Sequence, residues 1–201
     1  MNLYKADASP FARKTRVVLR EAGLEEQVTE VASVGTAIAP GTIRLAVNPL
    51  GKIPSLERDD GPSLYDSRVI CRYFDDLGNS NLYPVAPRLW DTLTLEATAD
   101  GMMDAAILMV YESRVRPEEK QFSDWVEAQW AKVTRALDVL EDRWMAHLNG
   151  PVDIGQIGVA CALGYLDFRH DTRNWREGHE QLSAWEAKFA ERPAMAATVP
   201  T

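Results

Sequence analysis

A chain of 201 residues, 46% hydrophobic and 26% charged, is long enough for one large or two small domains and needs no staple to hold a core. Its formal charge of −8 excludes the basic surface that nucleic-acid binding requires, so an anionic ligand would depend on local positive charge. Cys71 and Cys161 stand far apart without a CxxC spacing, which excludes a disulfide framework and a thiol redox pair and points to a reducing compartment. With no charged leader before an apolar run, and no apolar stretch of about eighteen residues, a soluble cytoplasmic protein without membrane partners is expected.

Asn2 to Lys5 reads as a short strand, followed by a loop at Ala6 to Ala8. Ser9-Pro10 opens a helix: serine is a favoured N-cap, and proline loses nothing at the first helical position, where its N–H would be unpaired anyway. Phe11, Thr15, Val18, Leu19 and Ala22 recur at helical spacing, and Gly23 is the stop. Arg13, Lys14, Arg16 and Arg20 fall on the other face, either as a solvated surface or as a source of positive field. Gln27 to Val31 alternates like a strand, completing a right-handed parallel strand–helix–strand unit. Gly35 to Val47 is a loop with an irregular helix around Thr42 to Ala46.

The stretch Asn48 to Ser67, NPLGKIPSLERDDGPSLYDS, holds the densest chemistry. Pro54 lacks a backbone donor and suits the opening of the short strand Ser55 to Arg58, leaving the Ile53 main chain open to pair with an extended peptide. Asp59-Asp60-Gly61 has the composition of a hairpin turn, and Ser63 to Tyr65 returns as the partner strand. Asp66-Ser67 then begins a helix carrying Val69, Ile70, Tyr73, Phe74 and Leu77. Free N–H groups and the positive dipole end there attract a carboxylate, while the aspartate accepts from an ammonium; a ligand with both groups on one carbon suits the pair. Singly, an Asp-Ser start is ordinarily a cap and a strand-opening proline a fold element; the functional reading rests on both together.

This order predicts a four-stranded mixed sheet flanked by helices, the thioredoxin-like arrangement, over residues 1–77. Gly78 to Pro87 marks a linker, and 88–201 reads as all helical. Arg88 to Tyr111 is one long helix. Glu118 to Leu148 is a second, with a core stripe of Phe122, Val126, Trp130, Val133, Leu137, Leu140, Trp144 and Leu148. After Asn149-Gly150-Pro151, Asp153 and Gln156 form a capping box, with Val152 and Ile157 as a hydrophobic staple. The helix they start, Ile154 to about Phe168, is apolar nearly all round and belongs at the centre of a bundle. Leu182 to Ala190 is a last short helix. His147, His170 and His179 lack metal-ligand spacing, and no metal is assigned.

SPFARK at Ser9, NPLGKIP at Asn48, YDS at Tyr65, and the Asp153 box followed by LDFR at Leu166 together resemble the cytosolic glutathione transferase family over essentially the full chain, closest to bacterial members with serine near the first helix. The resemblance implies an α/β thioredoxin-like N-terminal domain plus an all-α C-terminal bundle, glutathione as cosubstrate, and a homodimer. It implies that Ile53 clasps the cysteinyl backbone, with Pro54 cis, that Asp66 and Ser67 hold the γ-glutamyl ammonium and carboxylate, and that Lys52 meets the glycyl carboxylate. Ser9 stands where such enzymes place the donor to the glutathione sulfur. A hydroxyl beside a helix N-terminus would favour the thiolate of a thiol with an ordinary pKa near 8.5, activating it toward an electrophilic carbon; as a plain N-cap the same oxygen would only serve the backbone. Departures are the Asp-x-x-Gln box, where the family usually has Ser/Thr-x-x-Asp, and a first helix without cysteine, which disfavours chemistry through a mixed disulfide.

For the second substrate, Phe11, Met102, Ala106 and Met109 are the candidate lining, with core packing as their alternative. Either Asp100 or Asp104 could reach the γ-glutamyl group. A detoxifying transferase with a small electrophilic substrate is the leading expectation. A noncatalytic protein of the same fold is the rival, and isomerase or dehalogenase chemistry would share the glutathione site.

Overall fold

Strand β1, Asn2–Lys5, is the middle of a three-stranded sheet in the order β2-β1-β3. It pairs in parallel with β2, Thr29–Ala32, and antiparallel with β3, Ser55–Glu57. The computed structural model describes residues 1–201, which form two units: Met1–Leu89 with Pro193–Thr201, and Trp90–Arg192.

In the first unit, helix α1, Pro10–Glu21, joins β1 to β2, and α2, Ser67–Gly78, packs against α1. The approach is close at their ends: a Cβ on Gly78 would lie 2.6 Å from the Ala22 carbonyl oxygen. Leu3, Val17, Val18, Leu56, Ile70 and Phe74 form the core, each fully buried. The C-terminal helix α8, Pro193–Ala196, also packs on α1.

Three expectations change here. The returning strand shrinks to one bridge, Leu64 with Leu56, because Pro62 and the Asp-Ser helix start leave too little chain for a ladder. The segment around Thr42 to Ala46 forms separate turns, Ile43 to Pro40 and Val47 to Arg44; so short a span between Gly41 and Pro49 cannot repay helix nucleation. The basic face of α1 is buried rather than solvated, with Arg13, Lys14 and Arg16 at 6%, 0% and 7% exposure.

The second unit is all helical. It contains α3, Arg88–Val115, α4, Ser123–Val139, α5, Met145–Leu148, α6, Ile154–Arg169, and α7, Glu180–Ala190. The single helix expected from Glu118 to Leu148 is interrupted. The Glu112 carboxylate accepts from Phe122 N–H at 3.0 Å, so α4 starts there, and a π-helical segment, Leu140–Trp144, separates α4 from α5. Phe122 is consequently exposed, while Val133, Leu137, Leu140 and Leu148 hold the core.

Helix α6 is the buried centre of this unit, and its start is fully satisfied. Asp153 Oδ1 accepts from Gly155 and Gln156 N–H, and Gln156 Oε1 accepts from Asp153 N–H at 2.6 Å. The second Asp153 oxygen takes the Thr92 hydroxyl at 2.8 Å and meets His147 Nε2 at 2.7 Å. Gln156 Nε2 donates to the carbonyls of His147, Leu148 and Gly150. Both motif residues are 1% exposed. Gly155 permits the closest approach to α3, since a Cβ there would sit 2.9 Å from Leu95 Cβ.

Candidate functional site

Pairing in the first unit explains how distant sequence positions converge. Tyr4 lies opposite Ser55 and Leu56 bridges Leu64. Followed outward along these antiparallel registers, Ile53 runs toward Ala6 on one side, just before Ser9, and toward Ser67 on the other.

Each segment is pinned by its own polar contacts. Asn48, 2% exposed, holds the NPLGK loop: its Nδ2 donates to the Lys52 carbonyl at 2.9 Å and its Oδ1 accepts from Leu50 N–H at 3.0 Å. The peptide bonds Ile53–Pro54 and Tyr65–Asp66 are both cis. The Ile53 main chain, just before β3, contributes none of the chain's backbone hydrogen bonds. Lys52 is exposed beside it.

Asp66 is the N-cap of α2, and its Oδ1 accepts from Arg68 N–H at 3.0 Å. The residue is exposed and its other carboxylate oxygen remains for a cation, while Ser67 is 3% exposed in the first helical turn, where backbone N–H groups have no intrahelical partner. Ser9 caps α1, with Oγ accepting from Ala12 N–H at 3.3 Å. A hydroxyl that accepts in this way still has its proton to donate, so capping and donation to a sulfur are compatible.

The loop before Ser9 is braced electrostatically. Lys5 Nζ lies 2.6 Å and Arg16 Nη1 2.9 Å from Asp7. Glu30 on β2 takes Arg16 Nε at 2.6 Å and Arg20 Nη1 at 2.7 Å. The Lys5 hydrogen bond, with the nearby Arg16 charge, outweighs desolvation and holds the Asp7 carboxyl below its usual range. Burial alone would raise Glu30, but Arg20 and Arg16 outweigh it and the net direction is downward.

Sequence reasoning missed Asn48 as the pin of the loop and the burial of α1's basic residues. The Asn-Pro that opens the stretch was the available signal for the first; the alternation of charge between α1 and Glu30 was too distant in sequence to signal the second. Of the residues considered for a second substrate, Phe11 is half-buried on α1. Met102, Ala106 and Met109 are buried on α3 at 2%, 0% and 5%. Asp100 is buried and Asp104 exposed, so only Asp104 presents its carboxylate at the surface.

Comparison with known proteins completes the picture. Residues 8–77 match the family described as "Glutathione S-transferase, N-terminal domain" and residues 123–188 its "C-terminal domain". The chain is 33% identical to "Uncharacterized GST-like protein YibF" of Escherichia coli K12, over 100% of this chain and 98% of that protein. A crystal structure of a glutathione transferase family member from Pseudomonas fluorescens Pf-5 with bound glutathione superposes with a TM-score of 0.97 at 46% identity, covering 100% of this chain and 98% of that one. Another from that organism, with bound S-(propanoic acid)-glutathione, gives 0.92 at 45% identity and covers 100% of each. Sequence, fold and relatives agree, and the chain belongs to the glutathione S-transferase family.

Proposed function

We propose that this protein binds glutathione on its first unit and transfers the thiolate to an electrophilic carbon of a small, largely apolar substrate. The observation that supports the reading is the strand register, which runs the unpaired Ile53 main chain, the Asp66-Ser67 helix start and the segment before Ser9 toward the same end of the sheet. In this reading the cysteinyl backbone adds to Ile53 as a further extended strand, beside cis Pro54. The γ-glutamyl ammonium meets Asp66, its carboxylate meets Ser67 and the α2 N-terminus, and Lys52 neutralises the glycyl carboxylate. The thiol then points to Ser9, whose hydroxyl donates to the sulfur once the thiol proton has passed to solvent water. Attack forms the carbon–sulfur bond as the substrate's leaving group departs or its activated double bond takes up the electron pair.

The Pseudomonas structure holding glutathione with a propanoic acid group on sulfur supports room for an S-substituent in proteins of this kind. Phe11 on α1 is assigned to the surroundings of that substituent, whereas Met102, Ala106 and Met109, at 2%, 0% and 5% exposure, pack inside the second unit; a cytoplasmic homodimer with a detoxifying role is the accompanying proposal. Calorimetric titration with glutathione and turnover with a chloronitrobenzene test the reading. Asp66→Ala should weaken glutathione binding about tenfold or more through loss of a charge-assisted contact. Ser9→Ala should leave binding in place and lower turnover about tenfold. Wild-type binding without turnover on any electrophile would favour a noncatalytic protein of this fold, and normal turnover in both variants would remove the roles given to Ser9 and Asp66.

A further inference from the structure

Around the C-terminal ends of α3 and α6, some arginines are answered by carboxylates and some are not. Arg116 takes Glu112 at 2.7 Å, Arg173 takes Glu127 through both terminal nitrogens, and Arg176 takes Asp167 and Glu186. Arg114 on α3 and Arg169, the last residue of α6, have no such partner. The carboxylates closest to them in sequence are engaged elsewhere: Glu112 with Arg116 and the Phe122 N–H, Asp167 with Trp175 Nε1 and Arg176, Asp171 with the Thr172 N–H.

Both arginines act on Tyr165 of α6, which is 5% exposed. Burial pushes its phenol up to about 12 against the opposing influence of Arg169 and Arg114, with Tyr111 of α3 also contributing, so the hydroxyl keeps its proton at neutral pH. Arg169 acts on this hydroxyl as a donor, yet no acceptor of the chain takes the phenol proton. A donor left without an acceptor at so buried a position is unfavourable unless something outside the folded chain accepts from it.

Neighbouring rings hold the group in place. Arg169 Cζ lies over the Phe168 ring at 3.8 Å from its centroid, which restrains the guanidinium plane and leaves its edge N–H groups to face a ligand. Phe168 in turn meets the Tyr165 ring edge-on, with centroids 6.5 Å apart. His170 packs on Tyr165 at 6.3 Å and its Nε2–H donates to the Ala106 carbonyl at 3.0 Å, tying this end of α6 to α3. Phe168 and Arg169 are half-buried and Arg114 is exposed, so the group opens to solvent on that side. A cation at the end of α6 also suits the helix dipole, but that accounts neither for Arg114 nor for the unaccepted Tyr165 proton.

We propose that Tyr165, Arg169 and Arg114 form a binding site for the carboxylate of a small organic acid whose apolar body lies along the Phe168 ring. The carboxylate accepts from the phenol and from the guanidinium edge together, as a charge-assisted pair of contacts, and Arg114 adds positive field. The site lies wholly in the second unit and is independent of glutathione binding, so each can fail without the other.

Calorimetric titration of the full chain with benzoate, benzamide and inorganic phosphate, at neutral pH and low ionic strength, tests the proposal. Benzoate should bind saturably, with a Kd of about 1 mM or tighter, while benzamide, which has the same shape without the charge, and phosphate, which has no apolar body, should bind about tenfold more weakly or worse. Arg169→Met should weaken benzoate about tenfold, Tyr165→Phe about fivefold and Arg114→Gln about twofold. Tyr165→Phe keeps the buried ring and Arg114→Gln alters an exposed side chain, so both report on binding even where Arg169→Met does not fold. Arg169→Lys keeps the helix-end charge and should keep the wild-type urea midpoint, but it loses the planar fork and should weaken benzoate about fivefold. Absence of saturable benzoate binding, equal affinity for benzamide, tighter binding of phosphate, or benzoate affinity unchanged across the variants would overturn the site and leave Arg169 a helix-end charge.

Discussion

Ser9 has two separable duties. Its oxygen accepts from Ala12 N–H as the cap of α1, and in the proposed chemistry its proton serves the sulfur. Aspartate caps as well as serine but brings a negative charge and no donor at neutral pH, whereas alanine removes both functions. Ser9→Asp should therefore unfold in urea like wild type while losing turnover by more than tenfold, and Ser9→Ala should lose about 1 kcal/mol of stability as well. Activity kept in Ser9→Asp, with stability lost only in Ser9→Ala, would reduce Ser9 to a structural cap. Its hydrogen bonds and those of Asp66 also explain why these positions were legible in sequence: capping is local, so the residue type and its place before an apolar run suffice.

At the scale of elements, α6 shows how a motif weak on paper becomes a fixed structure. Asp153, 1% exposed, makes the capping box, receives the buried Thr92 hydroxyl from α3 and meets His147 of α5. Asp153→Ala should cost about 3 kcal/mol, the lost cap adding to the desolvated Thr92 and His147 groups left behind. Gly155→Ala tests packing alone: its Cβ would meet Leu95 Cβ at 2.9 Å and the Thr92 carbonyl oxygen at 3.0 Å. It should cost about 1–3 kcal/mol. Urea unfolding monitored by tryptophan fluorescence measures both, and wild-type midpoints would contradict this account of α6. The break between α4 and α5 was invisible in sequence, because Val133, Leu137, Leu140, Trp144 and Leu148 keep helical spacing through the π segment.

For the whole molecule, the shifted carboxyls and His170 share one direction. The carboxyls of Asp7, Glu30 and Glu57 are held low, Glu57 chiefly by the Tyr4 hydroxyl hydrogen bond. Their contribution is present above the ordinary carboxylate range and is lost as pH falls through the lowered values. His170 is also lowered, chiefly by burial, with its Nε2–H donating to the Ala106 carbonyl at 3.0 Å. Its unfolded form takes up a proton first, so stability falls as pH drops below its ordinary value of 6.5. Stability should thus be level from pH 8 to 7 and decline in two steps, the upper one absent in His170→Gln and the lower one retained. Urea midpoints across this range decide it; an upper step that persists in His170→Gln would place its origin elsewhere.

By itself the sequence determined what depends on neighbours a few residues apart. The caps at Ser9, Asp66 and Asp153, the strand-opening Pro54, the helical character of residues after Arg88 and the clustered motifs of the glutathione S-transferase family all follow from local chemistry. Tertiary structure decided what depends on partners far along the chain. Glu30 and Asp7 turn a basic helix face into a buried network, Glu112 sets the start of α4, and the returning strand narrows to the Leu56–Leu64 bridge. The Met195 carbonyl meets Arg13 across 182 residues of sequence. A charge reads the same in sequence whether solvated, paired or buried alone; only packing distinguishes these states, and at Arg13 it turns what reads as a surface arginine into one 6% exposed.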